Sequence, residues 1–390
     1  MSFWLRSFYS VCDGRHCYSG FVKNSVALER KVLLSSLGVF VQPFLEGALS
    51  TRVHALLCFS PLRGTVRGNS LPEIAKSRRV GRLFFAILSG IFLHSCWAQD
   101  LAPRAYLITP LHSNAINLTY SFFHGGLDFN GVVPITGATG TYSVPTFSLY
   151  HSFSLFGRSA NIAAWLPYSV GTFQGSVLGT DKQIYRSGLF DSGCRLSVNL
   201  KGGPAMPMDQ FVKWKQKVVL GASLKVVAPT GQYDPTKLIN WGINRWAFKP
   251  EFGYSQRFKE KWVLDGYAGA VLFTANQKFF SIPTPQPQTK SPYGSFEGHL
   301  SYDAKHYRGK PTLWFSLDGN FWFGGTTAMG GKSNPATRQT ASRVGVTAAI
   351  PVSRHQSIKA SFSRGDYVRI GGNFDSLAVS WQYTWFGRPN

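Results

Sequence analysis

The sequence predicts an all-β fold: a transmembrane, antiparallel, up-and-down β-barrel of about twelve strands, of the outer-membrane type. Three observations carry that reading. The first is the last stretch, Ser376 to Phe386, in which Leu377, Val379, Trp381, Tyr383 and Trp385 alternate strictly with Ser376, Ala378, Ser380, Gln382 and Thr384. Successive side chains of a strand point to opposite faces, so this strand has one apolar and one polar face. As a free edge in water it would invite pairing with other chains; as the closing strand of a barrel in lipid it is at home. The second is composition: 15% aromatic, 15% charged and 40 glycines, with a mean hydropathy of −0.06. Few charges, many aromatics and neutral hydropathy suit apolar residues spread over alternate positions. The third is the recurrence of the same alternation along most of the chain.

The formal net charge of +23 raises a nucleic-acid reading. Lys and Arg, however, are scattered between apolar runs, with no basic stripe and no recognition motif, so no nucleic-acid partner is expected. Cys12, Cys17, Cys58 and Cys96 precede residue 99, and only Cys194 follows it. One thiol forms no internal disulfide, and no CxxC pair offers zinc ligands. Cys194 reads as a small apolar residue on a strand face. Neither cofactor nor metal is expected.

Near residue 80 the chain changes character. Arg78-Arg79-Val-Gly-Arg82 precedes the apolar run Leu83 to Leu93, then His-Ser-Cys96-Trp-Ala98-Gln99. A basic start, a short apolar core and small residues before a cut describe a Sec-type signal peptide over 80–98, cleaved between Ala98 and Gln99. The core is shorter than the ~20 residues a membrane helix needs. Leu93-His-Ser-Cys96 loosely resembles a lipobox, with an unusual His. Residues 1–79 lie upstream of this signal, without steady period and broken at Pro43 and Pro61. They read as a non-native or disordered extension, translation starting near Val80, and 99–390 as the barrel.

Taken in order, Ile116, Leu118, Tyr120 and Phe122 make the first apolar face, and Phe147, Leu149, Phe153 and Leu155 the second. A tight turn at Phe156-Gly-Arg-Ser leads to Ile162, Ala164, Leu166 and Tyr168. Phe190, Cys194, Leu196, Val198 and Leu200 follow, then Val218 to Val226, Trp246 to Tyr254, and the Gly/Ala-rich run Trp262 to Phe273. Phe296–Tyr302, Leu313–Phe323, Val344–Ile350, Ile358–Phe362 and the terminal strand complete the even number that bacterial barrels favour. Short connections are expected around Gly157, Lys259–Lys261 and Ser353–His355. Long ones are expected near 130–142, 177–184, 229–244, 275–292, 324–340 and 366–374, an alternation typical of outer-membrane barrels. A brief amphipathic helix is expected over Met208–Gln216.

Gly325-Thr-Thr-Ala-Met-Gly-Gly331-Lys332-Ser333 has the look of a phosphate-binding loop, but the residue five before Gly331 is Thr326, and Asn334-Pro335 follows in place of a helix. It reads as a glycine-rich loop. His151 and Ser152 are neighbours on opposite faces, so they form no dyad. His299 facing a serine across strands would make a lipid hydrolase, the third reading. No enzyme is expected.

What remains is the polar face: Asp191, Arg195, Lys225, Lys249, Glu251, Asp265, Glu297, His299, Asp318 and Lys359 all fall opposite apolar positions. Lys or Arg on the lipid side costs about 2–4 kcal/mol near mid-membrane, so this placement is informative. Mixed sign suggests either a lumen shut by ion pairs or a selective constriction. Phe123, Tyr150, Trp314 and Trp322 face inward too, where they offer aromatic surfaces.

The stretch Val226-Val-Ala-Pro-Thr-Gly-Gln-Tyr-Asp234, with Leu238-Ile-Asn-Trp-Gly-Ile-Asn-Arg-Trp246 and Lys249-Pro-Glu-Phe-Gly-Tyr-Ser255, resembles bacterial outer-membrane proteins labelled as a MetA-pathway of phenol degradation. The likeness extends over roughly residues 101–386 and includes Asn199 to Ala205 and Asn334 to Arg338. It implies a barrel that takes up small aromatic compounds, and it supplies no catalytic residues. In the physical reading of the same block, Pro229-Thr-Gly231 ends a strand, and the loop after it sets Arg245 and Trp246 near the membrane boundary. The favoured expectation is a monomeric outer-membrane barrel, exported by Sec and admitting small, hydrophobic or aromatic solutes. Its partners are outer-membrane lipid, the solute, and the barrel-assembly machinery through the C-terminal strand. The runner-up is a non-conducting barrel whose outside loops bind a partner or a surface polymer.

Overall fold

The structure, a computed structural model, describes residues 102–129, 135–281, 284–304 and 313–387. The upstream extension, the leader and the Ala98/Gln99 cleavage point lie outside the described residues.

The chain forms β1 (Ser113–Asp128), β2 (Ile135–Leu155), β3 (Arg158–Val177), β4 (Thr180–Leu189) and β5 (Gly193–Lys201). After the short helix α1 (Met208–Phe211) come β6 (Val218–Val227), β7 (Ala247–Phe258), β8 (Trp262–Phe273), β9 (Asn276–Phe279) and β10 (Gln286–Lys290). Then follow β11 (Tyr293–Asp303), β12 (Trp314–Gly324), β13 (Thr327–Met329), β14 (Lys332–Asn334), β15 (Gln339–Pro351), β16 (Gln356–Val368) and β17 (Gly371–Phe386). Thirteen of these form one sheet in the order β2-β1-β17-β16-β15-β12-β11-β8-β7-β6-β5-β3-β4, and β2 pairs with β3 to close it. β4 and β5 share a wall position, because β4 pairs with Tyr168–Val177 of β3 and β5 with Ala160–Trp165. The result is a closed, antiparallel, twelve-strand barrel.

Closure rests on the first and last strands. β1 and β17 pair along their whole length, from Ser113 opposite Phe386 to Asp128 opposite Gly371. Leu118, Tyr120 and Phe122 on β1 and Leu377, Val379, Trp381 and Tyr383 on β17 are exposed. In water such a continuous apolar band would be far beyond an ordinary surface patch; in a bilayer it is the lipid face. Stacked aromatics mark its rims, with Trp381, Tyr383 and Trp385 at the end where β1 starts and β17 stops, the termini of the wall, and Trp246 against Phe248 at the other.

The connections depart from expectation in an instructive way. At the end holding the termini, Phe156–Gly157, Lys259–Lys261 and 352–355 are short, as read from the sequence. At the opposite end, three expected long loops are largely strand. β2 already begins at Ile135, β3 and β4 join through Leu178–Gly179 alone, and β16 and β17 through residues 369–370. Gly, Ser and Thr there sit in extended ladders, because backbone pairing in tall hairpins outweighs their weak strand preference. Leu178 and Gly179 have φ of 51° and 80°, the left-handed pair that a two-residue hairpin turn requires. The true long loops at this end run 228–246, 274–292 and 325–338. The last two contribute the separate sheet β14-β13-β10-β9. The false phosphate loop becomes the β13–β14 hairpin, turned at Gly330–Gly331. The helix expected over Met208–Gln216 shrinks to α1.

Candidate functional site

The lumen is occupied by the chain itself. Residues 102–112 run inside the barrel before β1 starts. The Arg104 guanidinium donates to Asp303 at 2.7 Å and lies over the Trp314 ring at 4.4 Å. The Arg104 and Ala105 amides donate to Asp265 Oδ2 at 3.1 Å and to the Tyr267 hydroxyl at 3.0 Å. Tyr106 is the deepest anchor. It is 1% exposed, its hydroxyl donates to Glu251 Oε1 at 3.0 Å and lies 2.9 Å from Ser223 Oγ, and Arg195 covers its ring at 4.8 Å. Two wall glycines make room for that ring. A Cβ on Gly253 would overlap Tyr106 Cε2 and Cδ2 and stand 2.7 Å from Cζ, while one on Gly221 would overlap Cδ1. Thr109 Oγ1 meets the Tyr150 hydroxyl at 2.6 Å, and the Leu111 amide donates to Met206 O at 2.9 Å.

Beside this segment the charged residues of β5, β7, β8, β11 and β12 form a wall, with Ser223 of β6 bonded to Arg195 between β5 and β7. Lys249 Nζ bridges Glu251 Oε2 at 2.6 Å and Glu297 Oε1 at 2.8 Å. Arg195 holds Glu251 Oε1 at 3.1 Å. His299 Nδ1 lies 2.9 Å from Asp318 Oδ1, and Asp318 also accepts from Ser316 and Thr347, each at 2.6 Å. The β-registers dictate this: His299 stands opposite Asp265 on one side and Asp318 on the other. Like strand partners of opposite charge stabilise a sheet pair. Glu251, Glu297 and Asp318 each have a cation or several hydrogen bonds, the condition under which buried charge is tolerated. Asp265, by contrast, accepts the Arg104 amide on Oδ2, and its Oδ1 is buried without a hydrogen-bond partner. The geometry is not that of a Ser–His dyad. Ser316 bonds the carboxylate, and His299 Nε2 faces only Glu297, at 3.8 Å.

Three of the expected lumen residues stand apart from this wall. Asp191 lies in the break between β4 and β5, where it accepts from the Gly231 and Ile243 amides, both at 2.8 Å. It staples the loop 228–246 rather than lining a path. Lys225 stands over the Trp165 ring at 4.9 Å with no acid partner among the described residues. Lys359 shares the face of Ser361 and Ser363 but stays exposed, with no ion pair among the described residues. Around it, on β16, β17, β1 and β2, the inner face is uncharged: Thr119 donates to Ser380, Gln382 to Asn117, and Asn117 to Ser148. These side chains are less covered than the charged ones, since Asp265, His299 and Asp318 are 1–2% exposed. The lumen therefore has a packed, charged side and a looser, hydroxyl- and amide-lined side.

Towards the loop end the lumen narrows on aromatic rings. Phe123 stacks on Tyr142 at 4.7 Å, and Tyr142 meets Phe374 at 5.0 Å and Trp241 at 5.5 Å. Trp241 also packs on Phe173 at 5.5 Å and on Phe190 at 5.3 Å. Phe190 thus departs from the outward face expected for it, because the β4–β5 break reverses the alternation. Trp241, which sequence reading left in a loop, is 5% exposed. No periodicity marks a loop residue that folds inward. Arg245 turns inward and is 6% exposed, donating to Gln288 at 2.7 Å, whereas Trp246 beside it faces outward on the rim. Trp322 is buried, and the Trp314 face is taken by Arg104.

A closed barrel with an apolar outer band and a polar, partly filled lumen has the fold of an outer-membrane barrel. The chain belongs to the family described as "Putative MetA-pathway of phenol degradation", whose model matches residues 156–383. Among solved structures it is similar to the COG4313 outer membrane channel from Pseudomonas putida F1, at 17% identity and a TM-score of 0.58, covering 73% of this chain and 100% of that one. The beta domain of the Bordetella autotransporter BrkA follows, at 13% identity and a TM-score of 0.45, covering 70% and 100%. No curated protein matches the chain.

Proposed function

We propose that this protein is a gated outer-membrane channel that admits small aromatic or hydrophobic solutes passively, kept closed by its own segment ahead of β1. The observation that carries this reading is the seating of residues 102–112. They are held to the wall by removable polar contacts and one buried ring, alongside a looser hydroxyl-lined side that would serve as the path. The aromatic rings around Trp241 would form the outer constriction, where flat solutes stack. The leader over 80–98 would direct Sec export, the end holding the termini would face the periplasm, and β17 would address the assembly machinery. A single barrel would be the working unit.

The test is single-channel recording of the purified protein in a planar bilayer, with folding verified by heat-modifiable migration. Discrete steps that become more frequent when residues 102–112 are unseated support the reading. A folded barrel that stays silent in both states overturns it and favours a non-conducting barrel.

A further inference from the structure

In the lumen wall Glu251, Glu297 and Asp318 each meet a cation or a set of hydrogen bonds. At the loop end the reverse holds, where two cations converge without an acid. Arg245, just ahead of β7, uses Nη2 to donate to Gln288 Oε1 at 2.7 Å, while its Nη1 is buried with no partner. Gln288 and Lys290 are two residues apart on β10, so they share one face of the small outer sheet. Lys290 Nζ donates to Gln339 Oε1 at 3.2 Å and stands 5.0 Å from the Phe273 ring centre and 5.3 Å from that of Tyr293. Neither cation has an ion pair among the described residues. Asp234, the acid in the same loop as Arg245, is engaged by Lys237 at 2.6 Å. Burial first, and the Arg245 guanidinium second, push the Lys290 amine down to about 8. Burial also lowers Arg245.

A buried guanidinium with a free N–H and a second cation beside it is unfavourable unless an anion is supplied. An amide row that already orients both cations, and two rings beneath the ammonium, define what fits: a carboxylate on a small apolar body. We propose that Arg245 and Lys290 form a binding site for a small organic carboxylate at the loop end of the barrel, with Phe273 and Tyr293 against its apolar part. This rests on the channel reading for its purpose, since it would be the solute's first stop.

The test is calorimetric titration of the protein, purified in detergent, with benzoate and with uncharged benzamide at neutral pH and low salt. Saturable benzoate binding is expected, with benzamide much weaker. Arg245→Gln should weaken benzoate by about 30-fold or more, the range of a lost charge-assisted hydrogen bond. Arg245→Lys should recover part of it. Lys290→Gln, which disturbs packing less, should weaken it about tenfold, and Lys278→Gln on exposed β9 should leave it unchanged. The site is refuted by equal binding of benzamide, by no saturable benzoate binding, or by unchanged affinity in both Arg245→Gln and Lys290→Gln. Equal competition by chloride or phosphate refutes the apolar part and leaves a plain inorganic-anion site. Since no flux is measured, a binding but silent barrel overturns the channel reading alone, and a conducting barrel without benzoate binding overturns this site alone.

Discussion

Gly253→Ala should empty the lumen without touching the segment that fills it. The added methyl would overlap two atoms of the Tyr106 ring and crowd a third, and both are held in place, one by the β6–β7–β8 ladder and the other by its hydroxyl bonds. The ladder cannot yield, because Gly253 pairs with Gly221 and Tyr267 in the middle of the wall. Tyr106 must therefore leave. Removing a fully buried aromatic ring from its seat costs about 3–5 kcal/mol. Taking the lower figure, the seated-to-released ratio falls by about two orders of magnitude. Arg104, with its contacts to Asp303 and Trp314, is the strongest remaining anchor beside the single hydrogen bonds of Ala105, Thr109 and Leu111, and Asp303 is not stranded when it goes because Arg257 holds the other oxygen at 2.6 Å. Two readouts follow: trypsin should cut after Arg104 in the variant and spare it in the parent, and open time in a bilayer should rise. Gly266→Ala is the control, since a Cβ there meets nothing within 4 Å. A folded Gly253→Ala protein with Arg104 still protected and unchanged conductance would refute the seating argument.

Lys225→Glu should shift ion preference towards cations in reversal-potential measurements, because its charge is balanced by no acid. Lys249→Glu should instead fail to fold, since it would set three carboxylates together and cost about 3–5 kcal/mol or more; recovery of a heat-modifiable barrel would contradict this. Asp191→Ala removes two hydrogen bonds to a carboxylate, each worth about 1.5–3 kcal/mol, and should expose 228–246 to protease while β4 and β5 remain protected. The Lys290 amine titrates near 8 in the fold against about 10.4 when unfolded. Between these values the folded protein holds it neutral and the unfolded chain holds it charged, so stability should rise with pH across that window. Denaturant midpoints of the parent against Lys290→Met should diverge with pH there; parallel curves would count against it.

Much of the barrel was legible because a wall in lipid writes a period into the chain: one face must be apolar at every second residue. That period located most of the wall strands and the short turns at the end holding the termini, and Leu377 to Trp385 announced the closing strand. It failed at β4, where Gln183, Arg186 and Ser187 of a hairpin rising above the apolar band carry no alternation. There backbone hydrogen bonds alone decide. The charged set was visible as the opposite face of the same period, yet which charges meet depended on register. Lys249 reaches both Glu251 and Glu297 because β7, β8 and β11 are neighbours in one stagger, and Lys359 meets no acid because its register partners on β15 and β17 are Ala349 and Ser380. Tyr106, Trp241 and Arg245 were beyond sequence reading. Each lies in irregular chain, where no period links position to direction, and each turns inward only because the closed wall offers a slot, a ring cluster or an amide row to receive it.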